Sequence, residues 1–205
     1  MNIRLEAPEK EQIALLPPFP SLAMPQVWLV ATARDAALAD AELRGQTVLG
    51  FDTESKPTFV RNETSEGPHV VQFASLSKAY VFQLHDPACR EVAGAVLGSK
   101  AVTKAGFGLA SDVKQIAAKF GAAPNAVVDI DTLFRRQGYR KELGVKAAVA
   151  VMFGQRFSKS KKAATSNWAA HQLTTAQILY AANDAYAAMC VFHALQTGAH
   201  AWTHV

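Results

Sequence analysis

The stretch QTVLGFDTESKP, residues Gln46 to Pro57, runs apolar and then ends in two carboxylates, Asp52 and Glu54. At positions i and i+2 of a strand the two project to the same side. Ionised carboxylates that close repel each other, and one is driven toward its protonated form unless a partner supplies positive charge. A divalent cation such as Mg²⁺ or Mn²⁺ supplies it and takes hard oxygen ligands. An isolated Asp-x-Glu is also what a strand carries when it runs out into solvent, so the pair alone decides nothing. Two further acids bear on the choice. In YAANDAYAA, Tyr180 and Asp184 lie four apart on one helical face. Their neighbours are apolar, so a charge there has to be buried with a partner. GFGLASDVKQI offers Asp112 in a first helical turn, where an acid can equally serve the helix dipole.

The elements that must position these residues are legible as hydrophobic patterns. VWLVAT (27–32), TVLGFDTE (47–54), HVVQFASL (69–76) and AYVFQL (79–84) read as strands, AVTKAGFG as another, and AVVDIDTLF as a short strand running into a helix. ARDAALADAELRG, PACREVAGAVLGS, ASDVKQIAAKFGA and GVKAAVAVMFG read as helices, the third opening on Ser111 and Asp112. The longest helix is expected over 174–196, started by a capping box from Thr174 to Gln177. Strands come first, then alternate with helices, and helices close the chain. This order predicts an α/β domain, a mixed sheet flanked by helices. Residues 1–25 hold Pro17, Pro18, Pro20 and Pro25 and read as an arm; 26–205 read as the domain.

The chain has 205 residues, half of them hydrophobic, which suits one core and excludes a disordered chain. Its apolar runs are too short to span a bilayer, and its start lacks the basic-then-apolar signal pattern. A cytoplasmic protein is expected. Cys89 and Cys190 are far apart, without the spacing of a zinc site or a disulfide framework. The six histidines show no metal-ligand spacing. The formal charge of +4 is uneven: Arg135 to Lys162 holds nine Lys or Arg against one acid, Glu142. That block is either a solvated face or a grip for phosphates.

FDTE on a strand, GFGLASD opening a helix and YAANDA on a late helix, in that order, resemble the three motifs of the DEDD exonuclease superfamily. Tyr180, four residues before the last acid, marks the tyrosine subclass. The surrounding segments SKAVTKAGFGLASDVKQI and GVKAAVAVMFGQRFSKSKKAATSNWAAHQLTTAQILYAANDAYAA resemble Werner-type exonuclease domains and ribonuclease D over roughly residues 27–197. The resemblance implies a ribonuclease H-like fold and 3′→5′ phosphodiester hydrolysis with two divalent ions, Mg²⁺ or Mn²⁺. It implies that Asp52 bridges the ions, that Glu54 and Asp184 complete the water-activating site, and that Asp112 holds the second ion through water. Tyr180 would orient the attacking water; with an ordinary pKa of about 10 it is a poor base at neutral pH. Arg156, Lys159, Lys161 and Lys162 would grip the nucleic-acid backbone, and Phe107 would line the cleft beside the terminal base. The expected partner is a DNA 3′ end, with RNA 3′-end trimming the alternative. The chain stops soon after Asp184, where ribonuclease D relatives continue into helical domains.

Several residues invite other readings. AGFGLAS with Asp129 twenty residues on mimics a dinucleotide fingerprint, but Ser111 stands at its third position. Asp129 and Asp131 form a second strand-end pair, and Asp131 before TLF is expected to cap a helix. Trp168 and Leu109 suit a core as well as a cleft. After FDTE, Ser55 and Lys56 stand where Werner-type domains carry Trp-Pro, so that loop's contacts with substrate do not carry over.

Overall fold

The computed structural model describes residues 5–58 and 66–198. The Ser55–Pro68 loop therefore falls partly outside the described residues. Six strands form one mixed sheet: β1 (Val27–Val30), β2 (Val48–Glu54), β3 (Val70–Ala74), β4 (Ala79–Gln83), β5 (Thr103–Gly106) and β6 (Val127–Asp129), in the order β1-β4-β3-β2-β5-β6. β3 is antiparallel to both β2 and β4, and the other neighbours are parallel. The helices are α1 (Lys10–Leu15), α2 (Ala33–Leu43), α3 (Pro87–Gly98), α4 (Ala110–Phe120), α5 (Ile130–Arg136), α6 (Val145–Phe153), α7 (Lys161–Ala164) and α8 (Thr175–Thr197). None of the described helices is long and apolar enough to cross a membrane. The expected α/β class is the one observed.

β2 lies inside the sheet and alternates. Leu49 and Phe51 enter the core under α2 and α3, while Gly50 faces α8 on the other side. Asp52 and Glu54 share Gly50's parity and so also face α8. α8 is capped as its sequence predicts: Thr174 Oγ1 accepts from the Gln177 amide, and the Gln177 side chain accepts from the Thr174 amide at 3.0 Å. Gly198 closes it in a left-handed conformation. Its buried alanines, Ala181, Ala182, Ala185, Ala187 and Ala188, let its backbone lie close on the sheet. Gly50 completes that approach. A Cβ there would stand 1.9 Å from the Ala185 carbonyl oxygen and 2.7 Å from the Met189 nitrogen. Gly50→Ala is therefore expected to push α8 off β2 and to cost about 3 kcal/mol or more. Urea denaturation measures this; a loss within experimental error would contradict the contact.

The expected start of α5 is corrected; α4 opens as expected, from Ala110 with Ser111 and Asp112 in its first turn, but no side chain of its own caps it. Asp129, at the end of β6, accepts hydrogen bonds from the amides of Gly108 (3.2 Å) and Leu109 (3.0 Å) at its entry. The same carboxylate caps α5 by accepting from the Asp131 amide at 3.1 Å. Asp131, expected as that cap, lies inside α5 and accepts from the Leu143 amide at 2.6 Å and from Arg135 at 2.9 Å. A two-residue offset inverts the roles because one acid at a strand end reaches two helix starts.

Candidate active site

The exit of β2 and the middle of α8 bring Asp52, Glu54 and Asp184 together. One oxygen from each lies within 4.8 Å of the others. Asp184 is buried; Asp52 and Glu54 are half-buried. Close packing at Gly50 produces this, since Asp184 immediately precedes Ala185 on the contacting turn. Asp52 Oδ1 accepts from the Thr53 amide at 2.9 Å. Neither oxygen of Asp184 receives an aligned hydrogen bond, although Lys159 Nζ stands 2.5 Å from Oδ2 as an ion pair. That ammonium also lies 5.1 Å from the centre of the Tyr180 ring.

All three carboxylates are harder to ionise than usual. Loss of hydration and then repulsion from Asp184 and Asp112 push Asp52 up. Loss of hydration, then Asp52 and Asp184, push Glu54 up to about 9. Burial raises Asp184 and Lys159 opposes the rise. Burial works against the Lys159 ammonium, but Asp184, Tyr180 and Asp52 together outweigh it and hold the proton on. Burial and Asp184 hold the Tyr180 phenol well above its ordinary value. This cluster has more negative charge than one lysine balances, an all-oxygen donor set, and buried Asp184 oxygens lacking aligned donors. It fits one or more hard divalent cations.

The other expected residues divide. Asp112 is outside this trio. It sits on α4, across β2, where Thr53 Oγ1 donates to its Oδ1. Thr53 has the opposite parity to Asp52 and Glu54, so Asp112 reaches the site through the strand's other face, yet it is near enough to raise both. Tyr180 is on α8, one turn before Asp184. Phe107, Arg156 and Lys159 line an open cleft of about 1180 Å³ with Asp52 and Asp184 on its floor. Lys161 and Lys162 are exposed on α7, outside that lining. Trp168 and Leu109 are core residues, 1% and 2% exposed.

Three features of the site escape sequence reasoning. Gln72, the register partner of Asp52 on β3, is wholly buried, and its amide has no hydrogen-bond partner among the described residues. Asn183, beside Asp184, grips the backbone of Leu22: its Oδ1 accepts from the Leu22 amide at 2.7 Å and its Nδ2 donates to the Leu22 carbonyl at 3.2 Å. The proline-rich arm lines the cleft through residues including Leu5, Glu6, Glu9 and Ala14. Local periodicity carries no sign of these contacts; the only hint was an amide or acid placed among apolar neighbours.

Known proteins are similar to this chain in sequence or in fold. The chain is 27% identical over 150 residues to the mouse bifunctional 3′-5′ exonuclease/ATP-dependent helicase WRN, covering 72% of this chain and 11% of that protein. It is 28% identical over 167 residues to ribonuclease D of Acidiphilium cryptum, covering 80% of this chain and 41% of the relative. The chain thus spans well under half the length of either. Its fold is shared with the exonuclease domain of Aedes aegypti Nibbler (TM-score 0.71, 20% identity, 86% of this chain and 89% of that one). It is also shared with Trypanosoma brucei RNase D (TM-score 0.73, 18% identity, 82% and 64%). A family model for the 3′-5′ exonuclease matches residues 29–198, and across that span the chain belongs to the 3′-5′ exonuclease family, within the DEDD superfamily.

Proposed function

We propose that this exonuclease acts on DNA, removing nucleotides one at a time from 3′ ends, as a tyrosine-subclass member with two divalent ions, Mg²⁺ or Mn²⁺. The observation that carries the catalytic reading is the convergence of Asp52, Glu54 and Asp184, the first and last of which line a cleft that also holds Arg140, Lys141, Lys146 and Lys159. Asp52, Glu54 and Asp184 would hold the ions, with Asp112 contributing from the far side of β2. When bound, such ions lower the pKa of water and neutralise charge developing on the phosphoryl group.

The chain's own groups do the rest. Tyr180 keeps its proton at neutral pH, since its pKa is raised. Its hydroxyl therefore positions a water and does not deprotonate it. Lys159, held protonated at the edge of the trio, places a positive charge where a phosphate must approach. Arg140, Lys141 and Lys146 extend that charge along the cleft, and Phe107 offers a ring face to a terminal base. Arg156 has a second duty, donating to the Ala14 carbonyl at 2.5 Å, so it serves the wall as well as the substrate. A cytoplasmic setting is part of the same proposal.

A second reading, 3′-end trimming of RNA, uses the same site. It is favoured by the ribonuclease D relative, which aligns with more of this chain than WRN does. The test uses 5′-labelled DNA and RNA oligonucleotides of one sequence with Mg²⁺ or Mn²⁺. A one-nucleotide ladder appearing faster on DNA, and erased by chelator, supports the proposal. Faster shortening of RNA moves the assignment to the exoribonuclease, and shortening of neither sinks the catalytic reading. In the same assay Tyr180→Phe is expected to lower the rate about 10²-fold or more while leaving metal affinity unchanged. Equal rates would remove the hydroxyl from the mechanism.

A further inference from the structure

Gln72 is the one polar residue of β3, VVQFA. On the α8 face of the sheet its neighbours along the strand are Val70 and Ala74, and Val81 stands opposite it on β4. All three belong to the apolar cluster that Ile178, Ala181 and Ala185 of α8 close. On its other side, on β2, stands Asp52. Gln72 is wholly buried, and neither its Nε2 nor its Oε1 has a hydrogen-bond partner among the described residues. The other buried amides are employed. Gln83 Nε2 donates to the Ala170 carbonyl at 3.0 Å, Gln177 Nε2 to the Asn167 carbonyl at 3.3 Å, and Asn183 Nδ2 to the Leu22 carbonyl at 3.2 Å. A buried amide left unpaired costs its full desolvation, and an apolar side chain of similar shape would avoid that cost. Among the described residues, the buried side-chain atoms without a hydrogen bond belong to Gln72 and Asp184, and both residues border Asp52.

We propose that Gln72 is a positioning residue of the metal site: its Nε2 donates to the Asp52 carboxylate and holds it in the orientation that ligates a cation. The inference rests on the exonuclease reading above. Among the side chains directly beside Gln72 on this face of the sheet, Asp52 alone offers an acceptor. Directly opposed residues of an antiparallel pair stand about 4.5–5.5 Å apart at Cβ, a gap that a glutamine amide spans. The Thr53 amide already holds Asp52 Oδ1 at 2.9 Å. One hydrogen bond leaves the carboxylate free to turn about it; a second, from β3, fixes its plane. A neutral donor is what the place requires. A lysine or arginine there would compete with the metal, and an acid would add repulsion to a cluster already short of positive charge. An amide orients the carboxylate and leaves its charge to the cation, as the partners of metal-ligating carboxylates do elsewhere.

The test is Gln72→Met in the full chain, which keeps the length of the side chain and removes the donor. Without metal the variant is expected to melt at or above the temperature of the unaltered protein, because an orphaned amide has given way to an apolar group. Its Mn²⁺ affinity, measured by calorimetric titration, is expected to fall about 10–100-fold. On a 5′-labelled oligonucleotide kcat should fall with it while KM holds. A structure of the unaltered protein loaded with Mn²⁺ should bring Gln72 Nε2 to about 2.7–3.2 Å from an Asp52 oxygen. Mn²⁺ affinity and kcat within about twofold of the unaltered protein would make Gln72 a plain core residue and overturn the proposal alone. So would a loaded structure in which Nε2 stays apart from Asp52, a readout that needs no variant to fold. Failure of the unaltered protein to bind Mn²⁺ would instead overturn the metal reading of the site, and the proposal with it.

Discussion

Asp52→Asn is expected to slow 3′→5′ hydrolysis by roughly 10³-fold or more while the metal-free protein becomes more stable at alkaline pH. The rate loss follows from position. Asp52 lies between the other acids: it is one of the trio with Glu54 and Asp184, and Asp112 also acts on it. A metal held there contributes several kcal/mol of transition-state stabilisation, and each ~1.4 kcal/mol is tenfold in rate. The gain in stability follows from the same geometry. An amide has nearly the shape of the carboxylate but none of its charge, so the repulsion that raises Glu54 is relieved. Opposite signs for activity and stability are the mark of a site held under strain for function. Single-turnover rates and thermal melting without metal, both near pH ~8.5, check the two halves. Asp52→Asn retaining more than about a tenth of the activity would remove Asp52 from the metal site.

The Asp52–Glu54 and Tyr180–Asp184 pairs were legible because each is local. Two carboxylates at i and i+2, and a tyrosine and an aspartate at i and i+4, announce a shared face wherever the chain is a strand or a helix. The strands and long helices were legible for the same reason: Leu49 and Phe51 alternate with Gly50, and the alanines of α8 repeat at helical spacing. What stayed hidden is set by contacts between distant segments. Nothing in Asp129 says that it will serve two helix starts, one of them twenty residues earlier. That Asp112 reaches the site from the other side of β2 depends on Thr53's parity and on α4 crossing that face. Lysines 159, 161 and 162 look equivalent in sequence, yet the turn into α7 sends only Lys159 to Asp184. A proline-rich lead-in gives no periodic signal, so its run from Tyr139 to Arg156 was invisible.

Adding Mg²⁺ or Mn²⁺ is expected to raise the melting temperature, and the rise should grow with pH. The sign follows from linkage. Glu54 has a folded pKa of about 9 against an ordinary 4.5, and Asp52 and Asp184 are displaced the same way. Between roughly pH 4 and pH 9 the folded state therefore binds more protons than the unfolded one. The contribution of these groups is fully present below their unfolded pKa values and is lost as pH rises through the folded ones. A metal-free melting curve should fall across that window. Metal binding reverses the loss, because the cation supplies the positive charge that protons supply at low pH, and the two compete for the same oxygens. At a metal concentration about 100 times Kd the gain is about 2.7 kcal/mol, roughly 5–10 °C for a chain of this size. At about pH 5 the gain should shrink toward zero, since protons then occupy the carboxylates. Melting curves taken with Mn²⁺ and with EDTA across this range would decide it. A metal-independent melting temperature near pH ~8 would mean that the three acids are neutralised within the protein. Lys159 would then be the cation they were built around, and the two-ion reading of the site would fall with that result.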